Sequence, residues 1–96
     1  MYDVLYEVWM IHQINEEIAV LTVYDPRKPK ALPWCLKWKG RYYYVDKLTM
    51  LHPIQDGRTL VHVFSVYTKN KLYFRLEFNT RSLKWVLKEM DDGLPN

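Results

Sequence analysis

The chain has 96 residues, of which 49% are hydrophobic and 16% aromatic, and its formal net charge is +3. This length predicts a single domain over residues 1–96, and the apolar content excludes an intrinsically disordered chain. The single cysteine, Cys35, excludes an intrachain disulfide and is typical of a protein of the reducing cytoplasm.

Neither a membrane span nor a secretory signal is predicted. No apolar run approaches the ~20 residues that are needed to cross a bilayer, and the first residues lack the cationic start of a signal peptide. We therefore expect a cytoplasmic protein without a membrane partner.

Charge is distributed unevenly along the chain. Residues 1–25 carry five carboxylates and no Lys or Arg, residues 26–47 sum to +6, and the remainder contributes +2. An acidic opening followed by a basic middle can steer an anionic partner. The same distribution also fits two segments that simply face water.

The opening of the chain contains one ambiguous segment and one clear strand. In residues 2–11, Val4 and Val8 fit both helical spacing and strand alternation, so both structures stay open, although composition favours a strand. Residues 18–24 are rich in β-branched side chains and are bounded by polar residues, which predicts a strand.

A proline-rich segment follows at residues 25–33. Pro26, Pro29 and Pro33 fix φ and remove backbone donors, which interrupts regular structure. This segment is therefore expected to be a semi-rigid, cationic loop.

Alternating aromatic and basic residues over 34–45 predict a β-hairpin. Lys39 and Gly40 would form a two-residue turn, because glycine supplies the positive φ of a tight primed turn. This register pairs Trp38 with Arg41, Leu36 with Tyr43 and Trp34 with Val45. The face expected to point into the core carries five residues: Trp34, Leu36, Trp38, Tyr43 and Val45. The opposite, outer face carries four: Cys35, Lys37, Tyr42 and Tyr44.

Residues 58–67 and 72–79 predict a second hairpin around a polar turn at 68–71. The second strand alternates most regularly in the chain. Its inward set is Leu72, Phe74, Leu76 and Phe78, and its outward set is Tyr73, Arg75 and Glu77.

Residues 83–90 fit a helix and a strand equally well. Leu83 and Leu87 belong both to a helical stripe with Val86 and to a strand face with Trp85. The reverse turn expected at residues 79–82 would fold the tail back on the preceding strand. Together with the resemblance described below, that turn favours a strand.

These elements predict an all-β domain of five to seven strands, a small antiparallel barrel or rolled sheet of SH3-like or OB-like kind. The expected core consists of Trp34, Leu36, Trp38, Tyr43, Val45, Phe64, Leu72, Phe74, Leu76, Phe78 and Trp85.

The sequence contains no constellation typical of catalysis, a cofactor or a metal. His12, His52 and His62 are isolated, with no Cys or second His at ligand spacing. We therefore expect no enzyme activity, no cofactor and no metal site. Cys35 is the one candidate nucleophile, since the nearby cation of Lys37 would lower a thiol pKa, but an inert strand cysteine is the ordinary alternative.

Surface recognition is the chemistry that remains. Lysine and arginine can contact phosphates while tyrosine rings stack on bases, a mixture typical of surfaces that bind single-stranded nucleic acid. The candidate residues are Lys37, Lys39, Tyr42, Tyr44, Tyr73 and Arg75. The structural alternative is that tyrosine packs across strands and lysine discourages edge pairing.

From residue 33 onward the chain resembles a small bacterial family of uncharacterised β-domains. The resemblance rests mainly on a Trp-basic-Gly-Arg-x-Tyr-x-Val element at 38–45, and weaker matches lie at 64–66, 74–76, 85–87 and 91–93. The chain departs from the pattern at Leu36, where the family has Phe, and residues 1–17 do not align. Family members also occur as the last domain of polymerase-like translesion synthesis factors, which implies a non-catalytic accessory role near DNA repair and no assigned active site.

Two functions are therefore expected from the sequence. The first is a non-catalytic interaction module that takes a protein partner or a second copy, through an apolar patch or a free strand edge around residues 2–11. The alternative is a protein that binds single-stranded nucleic acid through the candidate residues above.

Overall fold

A computed structural model describes residues 11–92, which form six β-strands and no helix. The strands are β1 Ile11–Asp25, β2 Lys28–Trp38, β3 Arg41–Asp56, β4 Thr59–Thr68, β5 Tyr73–Asn79 and β6 Trp85–Asp91. All neighbouring strands are antiparallel, and β6 returns to pair with β1, which closes a barrel. The predicted small all-β barrel of five to seven strands is confirmed.

The two longest strands, β1 and β3, each contribute to two sheets. Residues 11–18 pair with β6 and residues 19–25 pair with β2. Residues 41–44 pair with β2 and residues 45–56 pair with β4. A smaller sheet of β1, β2 and β3 is thus joined to a larger sheet of β3, β4, β5, β6 and β1 through the shared strands.

Bulges accompany these changes of partner. The register of β1 with β6 shifts between Gln13 and Glu16, where Asn15 adopts a φ of 55°. The register of β3 with β4 shifts between Val45 and Lys47. An extra residue on one strand bends it and increases its twist, so these bulges help each strand to pass from one sheet to the other.

The core forms where the inner faces of the two sheets meet. Phe64, Leu76 and Leu87 lie side by side across β4, β5 and β6 and are fully buried. The ring of Phe74 meets the ring of Tyr43 at a centroid distance of 5.1 Å in an edge-to-face contact. This contact packs the larger sheet against the smaller one.

The predicted hairpin turn is confirmed. Trp38 pairs with Arg41, and the two residues between them, Lys39 and Gly40, have φ values of 52° and 76°. Two positive φ values define the primed turn whose twist matches that of the flanking strands. Gly40 adopts this conformation without the steric penalty of a Cβ atom.

Ten of the eleven predicted core residues are buried or pack against the core, but Trp34 is not, and that prediction is wrong. Leu21 lies opposite Cys35, whereas the next residue of β1, Thr22, lies opposite Pro33. Trp34 is therefore an extra residue in β2, and this bulge explains why its ring lies on the outside of the barrel.

The predicted pairing of Trp34 with Val45 is also wrong. The ladder between β2 and β3 ends at Cys35 opposite Tyr44, and Val45 instead pairs with Thr68 of β4. The hairpin register is thus correct only for the four pairs nearest the turn.

The proline-rich segment is strand rather than loop, which corrects the prediction for residues 25–33. Only residues 26–27 form the turn, and β2 begins at Lys28. Within residues 11–92, the stretch 28–34 pairs on one side only, with β1. Proline is tolerated on such an edge, because its missing N–H interrupts no ladder there.

The remaining strand predictions have clear outcomes. Residues 18–24 lie within β1, and residues 85–91 form β6, so the strand alternative for the tail is confirmed. Of the ambiguous segment 2–11, only Ile11 is within the described residues. Across residues 11–92 there is no helix that could span a membrane.

Candidate nucleic-acid interface

The outer face of the smaller sheet combines aromatic, aliphatic and basic side chains. The ladder sets Cys35 between Leu21 and Tyr44, and Lys37 between Ala19 and Tyr42. With Trp34 added by the bulge, we call this face the basic-aromatic surface: Ala19, Leu21, Trp34, Cys35, Lys37, Tyr42 and Tyr44. Its large side chains are exposed, at 55% for Leu21, 52% for Trp34, 56% for Tyr42 and 45% for Tyr44.

Trp34 and Tyr44 form an aromatic corner on this surface. Their ring centroids lie 5.7 Å apart and their planes meet at 81°, an edge-to-face contact. Because both rings are about half exposed, a planar ligand has access to the open side of the corner.

Two lysines supply positive charge at this end of the molecule. The Nζ atom of Lys37 lies 5.5 Å from the centroid of the Tyr42 ring, and that of Lys39 lies 4.9 Å from the Trp38 ring. These cation–π contacts hold both ammonium groups close to aromatic faces. Neither lysine has an ion pair with any residue in 11–92, so both charges are available to an anionic ligand.

The other two candidate residues, Tyr73 and Arg75, lie on β5 in the larger sheet. Arg75 faces Glu89 of β6, with 3.9 Å between its Nη1 atom and the carboxylate Oε2 atom. The Nε2 atom of Gln13 donates to the same oxygen at 3.2 Å. The structure therefore unites Lys37, Tyr42 and Tyr44 on one surface, with Lys39 at the adjoining turn, and places Tyr73 and Arg75 on a different sheet.

Sequence reasoning missed three members of the surface: Ala19, Leu21 and Trp34. Trp34 alternates in phase with Leu36, so the pattern assigns it to the core unless a bulge intervenes. Pro33 is the only sequence signal of that bulge, because proline within a strand is typical of edges and bulges. Leu21 could not be assigned, because the sequence does not say which strand lies beside residues 18–24.

Cys35 lies beneath this surface and is almost completely buried. Burial raises the pKa of the Cys35 thiol above its ordinary value of 9.0, and a backbone hydrogen bond with Tyr43 acts in the opposite direction with smaller effect. A nucleophilic cysteine needs a lowered pKa, so the effect expected from Lys37 does not dominate here. No group of three or more His, Cys, Asp or Glu side chains in residues 11–92 is placed to hold a metal ion.

Comparison with known proteins gives no match among family models, curated proteins or solved structures. The family resemblance carried by residues 38–45 therefore stays a prediction. The fold defines a small antiparallel β-barrel, and the basic-aromatic surface is its best candidate for a functional site.

Proposed function

We propose that this barrel is a non-catalytic cytoplasmic module that binds single-stranded nucleic acid on its basic-aromatic surface. The observation that carries the proposal is that three half-exposed rings and a lysine share one sheet face, and none of the seven residues that define the basic-aromatic surface is acidic. Cations neutralise the phosphates of a single strand while aromatic rings stack on its bases.

The spacing of the rings supports a single strand rather than a duplex. Tyr42 and Tyr44 are two residues apart on one strand, which separates their side chains by about 7 Å along it. Stacked bases in a helical strand are about 3.4 Å apart. Bases that stack on both tyrosines must therefore leave their own stack, which an unpaired strand does most readily.

A titration of the protein's tryptophan fluorescence tests this function. Of the tryptophans within residues 11–92, only Trp34 is exposed, so a single-stranded DNA decamer should quench its emission, and Trp34→Phe should remove most of that signal. The affinity for the single-stranded decamer should fall as the salt concentration rises, and it should exceed the affinity for the matching duplex.

The double variant Lys37→Glu, Lys39→Glu should lose most of the affinity. Equal affinity for duplex and single strand, or unchanged affinity in the double variant, would contradict the proposal. An accessory role near DNA repair, which the family resemblance implies, belongs to the same proposal, because single-stranded DNA is the ligand such a role would need.

Docking of a protein partner or a second copy is a second candidate function, favoured by a separate observation. Within residues 11–92, the stretch 45–56 of β3 pairs on one side only, with β4. Leu48, Met50 and Ile54 on this stretch are exposed. A free edge flanked by apolar side chains can accept an added strand. Analytical ultracentrifugation that shows a strict monomer at high concentration would count against self-association.

A further inference from the structure

A depression opens on the basic-aromatic surface, where β1, β2 and β3 lie side by side. Its volume is about 330 Å³, and it is lined by Ala19, Val20, Leu21, Cys35, Lys37 and Tyr42. Most of this lining is apolar, and Lys37 is its only charged member. Such a concave, mostly apolar site with few polar groups is typical of places that take a flat organic ring.

The polar groups that line the depression are better suited to donate hydrogen bonds to a ligand than to accept them. An ammonium group has three donors and no acceptor, and Lys37 holds it at the Tyr42 ring. The thiol of Cys35 is directed to the backbone, since its Sγ atom donates to the Leu36 carbonyl oxygen at 3.9 Å. The Tyr42 hydroxyl can donate or accept, so the positive charge of Lys37 decides which ligand edge is preferred.

Nucleobases differ in what they offer such a donor. Guanine, thymine and uracil have a carbonyl oxygen where adenine and cytosine have an amino group. We infer that the depression is a base-binding pocket selective for keto bases, in which Lys37 donates a hydrogen bond to the carbonyl oxygen. This inference rests on the proposed function, because the base arrives as part of a single strand.

The most discriminating probe is a pair of decamers, oligo(dU) and oligo(dC), because the two bases have the same ring and nearly the same size. They differ only along one edge, where uracil has a carbonyl oxygen beside a ring N–H and cytosine has an amino group beside an unprotonated ring nitrogen. The wild-type protein should bind oligo(dU) about tenfold more tightly at neutral pH, which is the scale of one good base contact. Lys37→Met, which keeps the apolar stem and removes the donor, should reduce this preference to within about twofold.

Lys39→Met is the matched control. The ammonium group of Lys39 lies over Trp38 and does not line the depression. Loss of this ammonium group should weaken the binding of both decamers by the same factor. The ratio of the two affinities should stay unchanged, as expected for a phosphate contact.

The possible outcomes distinguish a failure of the keto-base pocket from a failure of the proposed single-strand binding. Equal affinity of the wild type for both decamers, or a preference that survives Lys37→Met, would overturn the keto-base pocket and leave single-strand binding intact. Failure of both decamers to bind would overturn the proposed function, and the inference with it.

Discussion

The outer face of β5 and the outer face of the smaller sheet both carry aromatic and basic side chains, but the neighbouring strands place different residues beside them. On β5, Arg75 stands opposite Glu89, and the two charges lie within 3.9 Å. On the smaller sheet, Lys37 stands between Ala19 and Tyr42. A strand with basic and aromatic side chains therefore becomes a candidate binding site only when the strands beside it place no carboxylate next to its cations.

Removing rings from each face is the change with the largest expected effect on this comparison. Tyr42→Ala with Tyr44→Ala should weaken single-strand binding about 30-fold or more, roughly 2 kcal/mol, because each stacked base is worth about 1–3 kcal/mol. Tyr73→Ala removes the same kind of ring from the other face and should change affinity by less than about twofold. Fluorescence anisotropy of a labelled decamer measures both.

A loss of affinity in Tyr73→Ala as large as that of the double variant would show that the outer face of β5 also binds the strand, which contradicts the proposed site. The thermal unfolding curve of each variant is the control, because a loss of affinity reports on the binding surface only if the variant is folded under the assay conditions.

Most of the barrel is predictable from residue patterns, because its inner rows alternate regularly. Phe74 and Leu76 alternate with polar neighbours, and Gly40 marks a turn that fixes the register beside it. Pro29 misled the prediction, because it marks an edge rather than a loop. Trp34 was misassigned because it is the extra residue of a bulge, which breaks its alternation with Leu36.

The candidate site was only partly predictable for a different reason. Lys37, Tyr42 and Tyr44 come from one hairpin, whose local register the turn chemistry determines. Leu21 and Glu89 reach their positions through pairings that connect distant parts of the chain. The pairing of charged side chains between neighbouring strands therefore depends on the topology of the barrel, and it cannot be predicted from the sequence of one strand.

The next test removes one cation from each region, Lys39 from the turn beside the basic-aromatic surface and Arg75 from the outer face of β5. Lys39→Gln should reduce the magnitude of the slope of log affinity against log salt by about 0.7, the value for one phosphate contact with a single strand. Arg75→Gln should leave that slope unchanged, since Glu89 already compensates the Arg75 charge. A salt series for both variants checks this expectation, and a smaller slope in Arg75→Gln alone would reverse the roles of the two faces.

The smallest expected effect concerns the buried floor of the basic-aromatic surface. The pKa of the Cys35 thiol is higher in the folded protein than in the unfolded chain. The protonated thiol therefore contributes its full stabilisation below the unfolded pKa. That stabilisation is lost as the pH rises through the folded pKa. The free energy of unfolding of the wild type should therefore fall relative to Cys35→Ala above pH 9.0. Denaturant titrations of both proteins from neutral to alkaline pH measure the difference, and a constant difference would show that Cys35 is not held as a protonated thiol.

An amide NMR titration with a single-stranded decamer shows which face of the barrel binds the strand, because it observes both faces in one experiment. We expect the largest chemical-shift changes at Leu21, Trp34, Lys37, Tyr42 and Tyr44, and no change at Tyr73 and Arg75. Shifts that concentrate on β5 and β6, or no shifts at saturating decamer, would contradict it.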